Sequence, residues 1–117
     1  MTTSRSRSGQ IAALNDDLRK HCAPPGPGSG TVVLTVGVSA LGGNAVINIL
    51  GLVAAFDTFT PDNDPHGERD FGVINHDGER VYWKIDYYDS EMLYGSEDPT
   101  DASKTRRVLT VMLAEEY

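Results

Sequence analysis

Residues 70–89 constrain the fold of this chain more than any other stretch. They read DFGVINHDGERVYWKIDYYD, two segments of alternating apolar and polar residues joined by Asp77-Gly78. Both central residues of a type I′ turn need positive φ, which this dipeptide tolerates, so the sequence predicts a tight β-hairpin. The alternating residues of the second arm that are expected to face the core are Val81, Trp83, Ile85 and Tyr87. The intervening residues face the other way, so one face of the sheet is expected to pack and the other to contact water.

Two further elements are predicted before the hairpin by spacing and composition. Ile11, Leu14 and Leu18 recur at helical spacing, which predicts an amphipathic first helix with Ser8 as its N-cap. The segment TVVLTVGV, residues 31–38, is rich in β-branched residues and predicts a strand. Its apolar side chains fall on both faces, which favours a central or well-covered position in the sheet.

The main core helix and the last strand are predicted from longer apolar segments. AVINILGLVAAFDTF, residues 45–59, is apolar over most of its helical circumference and predicts a core helix capped by Asn44. Gly51 inside this helix is expected to mark close packing against the sheet. RRVLTVMLAEEY, residues 106–117, predicts a final strand.

The length of 117 residues is typical of one domain, so a single α+β domain is expected over residues 10–117. Residues 1–9 are polar and small and predict a disordered N-terminal tail. APPGPGSG, residues 23–30, contains three prolines and three glycines and predicts a linker within the domain. The element order favours a mostly antiparallel sheet of about four strands covered by two helices.

Charge is concentrated in the second half of the chain. Residues 57–117 contain fifteen Asp or Glu and six Lys or Arg, a net charge of −9, whereas the whole chain carries −7. A field of this sign repels phosphate backbones, so direct nucleic-acid binding is disfavoured. It also speeds encounter with basic proteins, so a basic protein or a nucleic-acid-binding complex is the expected partner.

Neither a membrane span nor a signal peptide is indicated, because no window reaches about 20 apolar residues and the N-terminus has no apolar run. The protein is therefore expected in the cytoplasm, without a membrane partner and without a cofactor. Cys22 is the single cysteine, so an internal disulfide and a multi-thiolate metal site are excluded. Because Cys22 precedes the proline-rich linker, it is expected to be a free, partly exposed thiol.

TPDNDPHGERDFG, residues 60–72, is the segment whose side chains are best suited to chemistry. A calcium loop fails on spacing, because a proline and a histidine stand where the third ligand and its neighbour should be. On an extended segment His66, Glu68 and Asp70 would lie on one side, so a three-ligand metal site is one hypothesis. Acid-base catalysis by these residues is a second hypothesis, although no nucleophile motif accompanies them. The third is structural, since Asp and Asn initiate turns and Gly67 permits positive φ, which would hold the loop in one shape.

An acidic face is expected from this loop together with residues 86–101. Its candidate binding residues are Asp62, Asp64, Glu68, Asp70, Asp86, Asp89, Glu91, Glu97 and Asp98. Aromatic side chains anchor many protein interfaces, and they are interleaved with charges around the end of the hairpin. The aromatic interface candidates are Tyr82, Tyr88 and Tyr94, the last within a small apolar patch at residues 92–94.

Six segments of the chain resemble, in order, a bacterial family known as domain of unknown function 3768. They are IAALNDDLR, VVLTVGV, FDTFTPDNDPHGERDFG, VYWKIDYYD, YGSEDP and RVLTVMLAEEY. The resemblance implies no activity, but it implies an occurrence on plasmids and other mobile elements, where interference with a host defence system is a reasonable role. The family commonly has a second histidine where this sequence has Arg69, which weakens any scheme that needs two histidines in the loop.

Three hypotheses follow from the sequence. The first is a non-enzymatic binding protein whose acidic face docks on a basic partner, most concretely an inhibitor of a host defence complex of the anti-CRISPR or antirestriction type. The alternative is a small metal-dependent hydrolase that uses His66, Glu68 and Asp70. The third is a structural module that self-associates through the aromatic hairpin.

Overall fold

The computed structural model describes residues 6–22 and 30–117. Its helices are α1 (Arg7–Lys20), α2 (Val36–Ser39), α3 (Gly43–Ala55) and a terminal 3₁₀ turn (Ala114–Glu116). Its strands are β1 (Thr31–Leu34), β2 (Phe71–His76), β3 (Glu79–Tyr88) and β4 (Arg106–Leu113). Residues 1–5 of the predicted tail and 23–29 of the predicted linker lie outside the described residues.

The four strands form one mixed sheet in the order β1-β4-β3-β2. The pairs β2–β3 and β3–β4 are antiparallel, and β1 runs parallel to β4. Helices α1, α2 and α3 pack on one face of the sheet, where the buried cluster includes Leu18, Val38, Ile49, Val53, Val81, Trp83, Ile85, Leu109 and Val111. The predicted α+β class is confirmed, and the short helix α2 is an addition that the sequence did not predict.

The hairpin predicted from Asp77-Gly78 is confirmed. The turn residues have φ of 48° and 80°, the positive values that a type I′ turn requires. His76 pairs with Glu79 across a two-residue turn, and the register continues without a bulge to Phe71 opposite Lys84. This register places Trp83 in the core, where it is fully buried.

Strand β1 is shorter and less protected than its sequence predicts. It ends at Leu34 because the Thr35 side chain accepts a hydrogen bond from Val38 N (3.5 Å) and starts helix α2. The strand lies at an edge of the sheet, and Val33 is 41% exposed. The predicted central position is therefore wrong, because this strand has apolar residues on both faces and yet lies half-buried at an edge of the sheet.

Both helix N-caps lie two residues before the predicted ones. Ser6, not Ser8, caps α1, because its Oγ accepts a hydrogen bond from Gly9 N (3.0 Å). Residues 7–9, which the sequence assigned to the tail, are therefore helical. Asn44 lies inside α3, whose N-cap is Gly42.

Two expectations about α3 and its surroundings are wrong. A Cβ added at Gly51 would meet no atom within 4 Å, so this glycine marks no close packing. Cys22 is 3% exposed and its Sγ lies 3.6 Å from the carbonyl oxygen of Leu50. Cys22 is therefore a packed side chain and not a partly exposed one, and its burial raises the pKa of the thiol.

Across the ranges 6–22 and 30–117 no helix is long and apolar enough to span a membrane.

Candidate functional site

The loop between α3 and β2, residues 56–70, is held by its own side chains. Asn63 Oδ1 accepts a hydrogen bond from Thr60 N (2.8 Å), and Asn63 Nδ2 donates to the carbonyl oxygen of Thr58 (2.8 Å). Asp64 Oδ1 accepts from Arg69 N (3.1 Å). These are the side-chain bonds to backbone by which Asp and Asn fix turns. The loop therefore has a defined shape without a ligand.

Helix α1 anchors this loop through a shared carboxylate. Asp16 accepts from Arg19 Nη2 (2.9 Å) and from Arg69 Nη1 (3.0 Å). Arg19 is 1% exposed, and its Nη1 donates to the carbonyl oxygens of Val53, Ala54 and Phe56 at the end of α3. A cation at this position satisfies the free carbonyls at a helix C-terminus and opposes the negative end of the helix dipole. One buried arginine thus joins α1, α3 and the loop.

A second buried network joins α1, β3, β4 and the same loop. Asn15 is fully buried, and its Oδ1 accepts from Arg107 Nε (2.8 Å). Asn15 Nδ2 donates to the hydroxyl of Tyr87 (2.7 Å) and to the carbonyl oxygen of Glu68 (3.0 Å). The Arg107 guanidinium also lies 5.2 Å from the centre of the Tyr87 ring, within cation–π range. Nothing in the local sequence around these positions indicated that they meet.

Two carboxyl groups meet at the Tyr87 hydroxyl. The hydroxyl donates to Glu68 Oε1 (3.0 Å) and lies 3.5 Å from Asp70 Oδ2. Burial raises the pKa of Asp70, and the neighbouring negative charge of Glu68 raises it further. Burial also raises the pKa of Tyr87, so its hydroxyl stays protonated and donates a hydrogen bond. Burial lowers the pKa of Arg107.

His66 does not share this cluster. Gly67 and Arg69 have φ of 70° and 57°, so the segment is not extended and the expected one-sided alternation of His66, Glu68 and Asp70 is wrong. Where the structure is described, no group of three or more His, Cys, Asp or Glu is placed to hold a metal ion. Arg69 pairs with Asp16 and lies over the ring of Phe59.

The nine carboxylates of the expected acidic face divide into two groups. Asp62, Glu91 and Glu97 are exposed and have no side-chain partner among residues 6–22 and 30–117. The other six accept hydrogen bonds or form ion pairs within the chain: Asp64, Glu68, Asp70, Asp86, Asp89 and Asp98. Six of the nine carboxylates are thus bonded within the chain, and the other three lie exposed without a side-chain partner among the described residues.

An exposed apolar tip, residues 92–94, lies between Glu91 and Glu97 in the sequence. Asp89 Oδ1 accepts from the N–H groups of Glu91 and Leu93 (both 3.1 Å), and Asp89 N donates to the carbonyl oxygen of Tyr94 (2.8 Å). The closed loop presents Met92, Leu93 and Tyr94, which are 47%, 68% and 74% exposed. Met92 has a φ of 62°, an unfavourable conformation for a residue with a side chain.

The N-terminus of α1 lies between the two acidic segments. Arg7 Nη1 pairs with Asp98 Oδ1 at 3.0 Å. On the other side, a Cβ placed on Gly67 would lie 3.9 Å from Ser8 Cβ. Residues 56–70 and 86–101 therefore flank one helix end.

The three aromatic candidates occupy different environments. Tyr82 lies on the sheet face opposite the helices, in edge contact with Phe71 and Tyr117 at 5.4 Å each. Tyr88 is half-buried, and Tyr94 is the most exposed of the three. Of this set, Tyr94 is the side chain best placed to anchor a partner.

Comparisons with known proteins gave one match. A family model described as "Protein of unknown function (DUF3768)" matches residues 34–116, well over half of the chain. Curated proteins and solved structures gave no match. As the six resembling segments predicted, the chain belongs to the DUF3768 family.

Proposed function

We propose that this chain is a small, non-enzymatic binding protein of the cytoplasm that docks through an acidic surface on a basic protein partner. Its most concrete form is an inhibitor of a nucleic-acid-handling host defence complex, of the anti-CRISPR or antirestriction type. The observation that carries the proposal is an exposed apolar tip, residues 92–94, with the unpaired carboxylates of Glu91 and Glu97 close to it in sequence. The chain would occupy a basic groove that otherwise receives phosphates.

The charge distribution supports a partner of opposite sign. Residues 57–117 have a net charge of −9, and the free carboxylates of Glu91 and Glu97 lie close to the tip in sequence. Charges at the rim of an interface steer association and make it salt-dependent, while contributing little affinity each. An acidic rim therefore selects a partner with lysine or arginine around its binding groove.

The exposed tip supports a protein partner in particular. Tyrosine and methionine are enriched at interface centres, and a rim of polar residues around such an anchor excludes water. Tyr94 is 74% exposed in a loop that is closed by Asp89, so its position is set before binding. A preformed loop loses less conformational entropy on docking than a flexible one.

The test is binding to a nucleic-acid-guided nuclease complex and to a restriction complex from the host, measured across a salt series. We expect Asp62→Asn, Glu91→Gln and Glu97→Gln together to weaken the affinity by roughly tenfold at low salt and to flatten its salt dependence. The matched control removes three other exposed carboxylates, Asp77→Asn, Glu79→Gln and Glu115→Gln. The proposal would be refuted if the first variant kept the affinity and salt dependence of the parent, or if both variants lost the same affinity.

The alternative hypothesis is a small metal-dependent hydrolase that uses His66, Glu68 and Asp70, although His66 lies outside the cluster of the other two in this structure. The observation that favours it is the meeting of the Glu68 and Asp70 carboxyl groups at the Tyr87 hydroxyl. It predicts that a divalent ion raises the Tm and that His66→Ala abolishes this effect. A flat response of the Tm across a panel of divalent metals would remove it.

A further inference from the structure

Strand β2 lies at an edge of the sheet and has one neighbour, β3, within the described part of the chain. The hydrogen-bond pattern of the hairpin shows which backbone groups of β2 point away from the sheet. Ile85 N donates to the carbonyl oxygen of Asp70 (2.8 Å), and antiparallel bonding repeats every second residue. The β2 residues that bond to β3 are therefore 72, 74 and 76. The N–H and C=O groups of Phe71, Val73 and Asn75 point away from the sheet.

Strand β2 lacks three of the usual protections of an edge strand, namely charged residues, proline and a bulge. The sequence of β2 is FGVINH, without a charged residue or a proline, in a chain of which 23% is charged. Its register with β3 runs one to one, so no bulge twists the edge away. Proteins normally block an exposed edge with lysine, proline or a bulge, because an open row of backbone groups is a template for another strand.

We propose that β2 pairs antiparallel with β2 of a second copy of the chain, about a two-fold axis at Val73. Val73 would face Val73 of the other copy, and Phe71 would face Asn75, with the outward N–H and C=O groups of all three residues satisfied. The two four-stranded sheets would become one continuous sheet.

A second copy fits this edge because the strand is self-complementary. Its three outward residues are centred on Val73, so an antiparallel copy presents a matching set of donors and acceptors. Val73 is 39% exposed, and the paired side chains are uncharged, so like charges do not meet in the ladder even though each chain carries −7. The remaining charge repels over a longer range, and salt weakens that repulsion.

The proposal goes beyond the binding function above and responds to salt with the opposite sign. Added salt screens the repulsion between two acidic chains and strengthens the dimer, whereas it weakens docking on a basic partner. A failure to dimerise would therefore leave binding to the basic partner intact, and a failure to bind the partner would leave the dimer intact.

The first experiment measures the mass of the full chain by sedimentation velocity from micromolar to submillimolar concentration. We expect a transition from 12.7 kDa to twice that mass, with the midpoint at lower concentration in higher salt. Val73→Lys would place two lysines opposite each other and shift the midpoint upward by about tenfold or more. The control is Val33→Lys, at a valine of the other edge strand with 41% exposure, which should leave the midpoint unchanged.

Amide hydrogen exchange of the unmodified chain keeps the test independent of how the variants fold. In the dimer the outward amides of Phe71, Val73 and Asn75 should exchange slowly, and dilution below the midpoint should release them while Ile74 stays protected. A mass of 12.7 kDa at all concentrations overturns the proposal. Dissociation by Val33→Lys but not by Val73→Lys overturns it as well, as would fast exchange of the outward amides in the dimer.

Discussion

Replacing Asn15 by alanine tests whether the buried polar network holds the α1 helix and the loop to the sheet. The side chain accepts from Arg107 Nε (2.8 Å) and donates to the Tyr87 hydroxyl (2.7 Å) and the Glu68 carbonyl oxygen (3.0 Å). Truncation leaves a buried guanidinium N–H without its partner, and such a group costs about 1–3 kcal/mol. The two lost donor bonds each contribute about 1 kcal/mol.

The better helix propensity of alanine returns only about 0.5 kcal/mol of this loss. We therefore expect Asn15→Ala to lower the free energy of unfolding by about 3 kcal/mol, a large part of the roughly 5–15 kcal/mol of a typical domain. The matched control is Asp17→Ala on the same helix, where the side chain is 62% exposed and lies 3.6 Å from His21. This change should alter the free energy of unfolding by no more than about 0.5 kcal/mol.

Urea unfolding followed by the fluorescence of Trp83 gives both values. Trp83 is the single tryptophan, is fully buried and lies against the rings of Phe56 and Phe59, so its emission reports loss of the core. Linear extrapolation at constant m-value yields the two differences. If Asn15→Ala and Asp17→Ala differed by less than about 0.5 kcal/mol, the network would not stabilise the fold as argued.

Three further predictions concern single residues. Because burial and Glu68 raise the pKa of Asp70 in the folded chain, ionisation of Asp70 opposes folding. Asp70→Asn should therefore be more stable than the parent at neutral pH, and this gain in the free energy of unfolding should vanish as the pH falls below the ordinary pKa of aspartate. A pH-independent difference between the two proteins would contradict this prediction. A Cβ on Gly72 would clash with Trp83 Nε1, so Gly72→Ala should lower the Tm and reduce the free energy of unfolding by roughly 1–3 kcal/mol. Its control, Gly51→Ala, is expected to raise the free energy of unfolding by about 0.5–1 kcal/mol, and an unchanged Tm in Gly72→Ala would refute the contact. Cys22 is buried with a raised thiol pKa, so a thiol reagent should label it far more slowly in the folded chain than in urea, and equal labelling rates would show that the thiol is accessible.

Features that depend on neighbouring residues were predictable from the sequence. The Asp77-Gly78 turn and the alternation of Trp83 with polar residues fixed the hairpin and its buried face, because turn geometry and strand pleat are local. The turn chemistry of the loop was predictable for the same reason, since Asn63 and Asp64 bond to backbone groups only a few residues away. The family, too, is carried by ordered segments of the chain.

The candidate site was predictable in composition but not in arrangement. The sequence placed His66, Glu68 and Asp70 together on the assumption of an extended segment. The backbone turns at Gly67 and Arg69, where φ is positive, and only Glu68 and Asp70 meet at the Tyr87 hydroxyl. Which carboxylates are free was also hidden, because the partner of Asp98 is Arg7, from the far end of the chain.

The sequence by itself determined the strands, the main helices, the hairpin and the acidic charge of the second half. Tertiary structure decided that β1 is an edge strand parallel to β4, and that Asn15, Arg19 and Arg107 are buried as bonded polar groups. The physical reason is the range of the interactions: φ preferences and side-chain alternation act between neighbours, whereas a buried polar side chain finds its partner only when distant elements pack together.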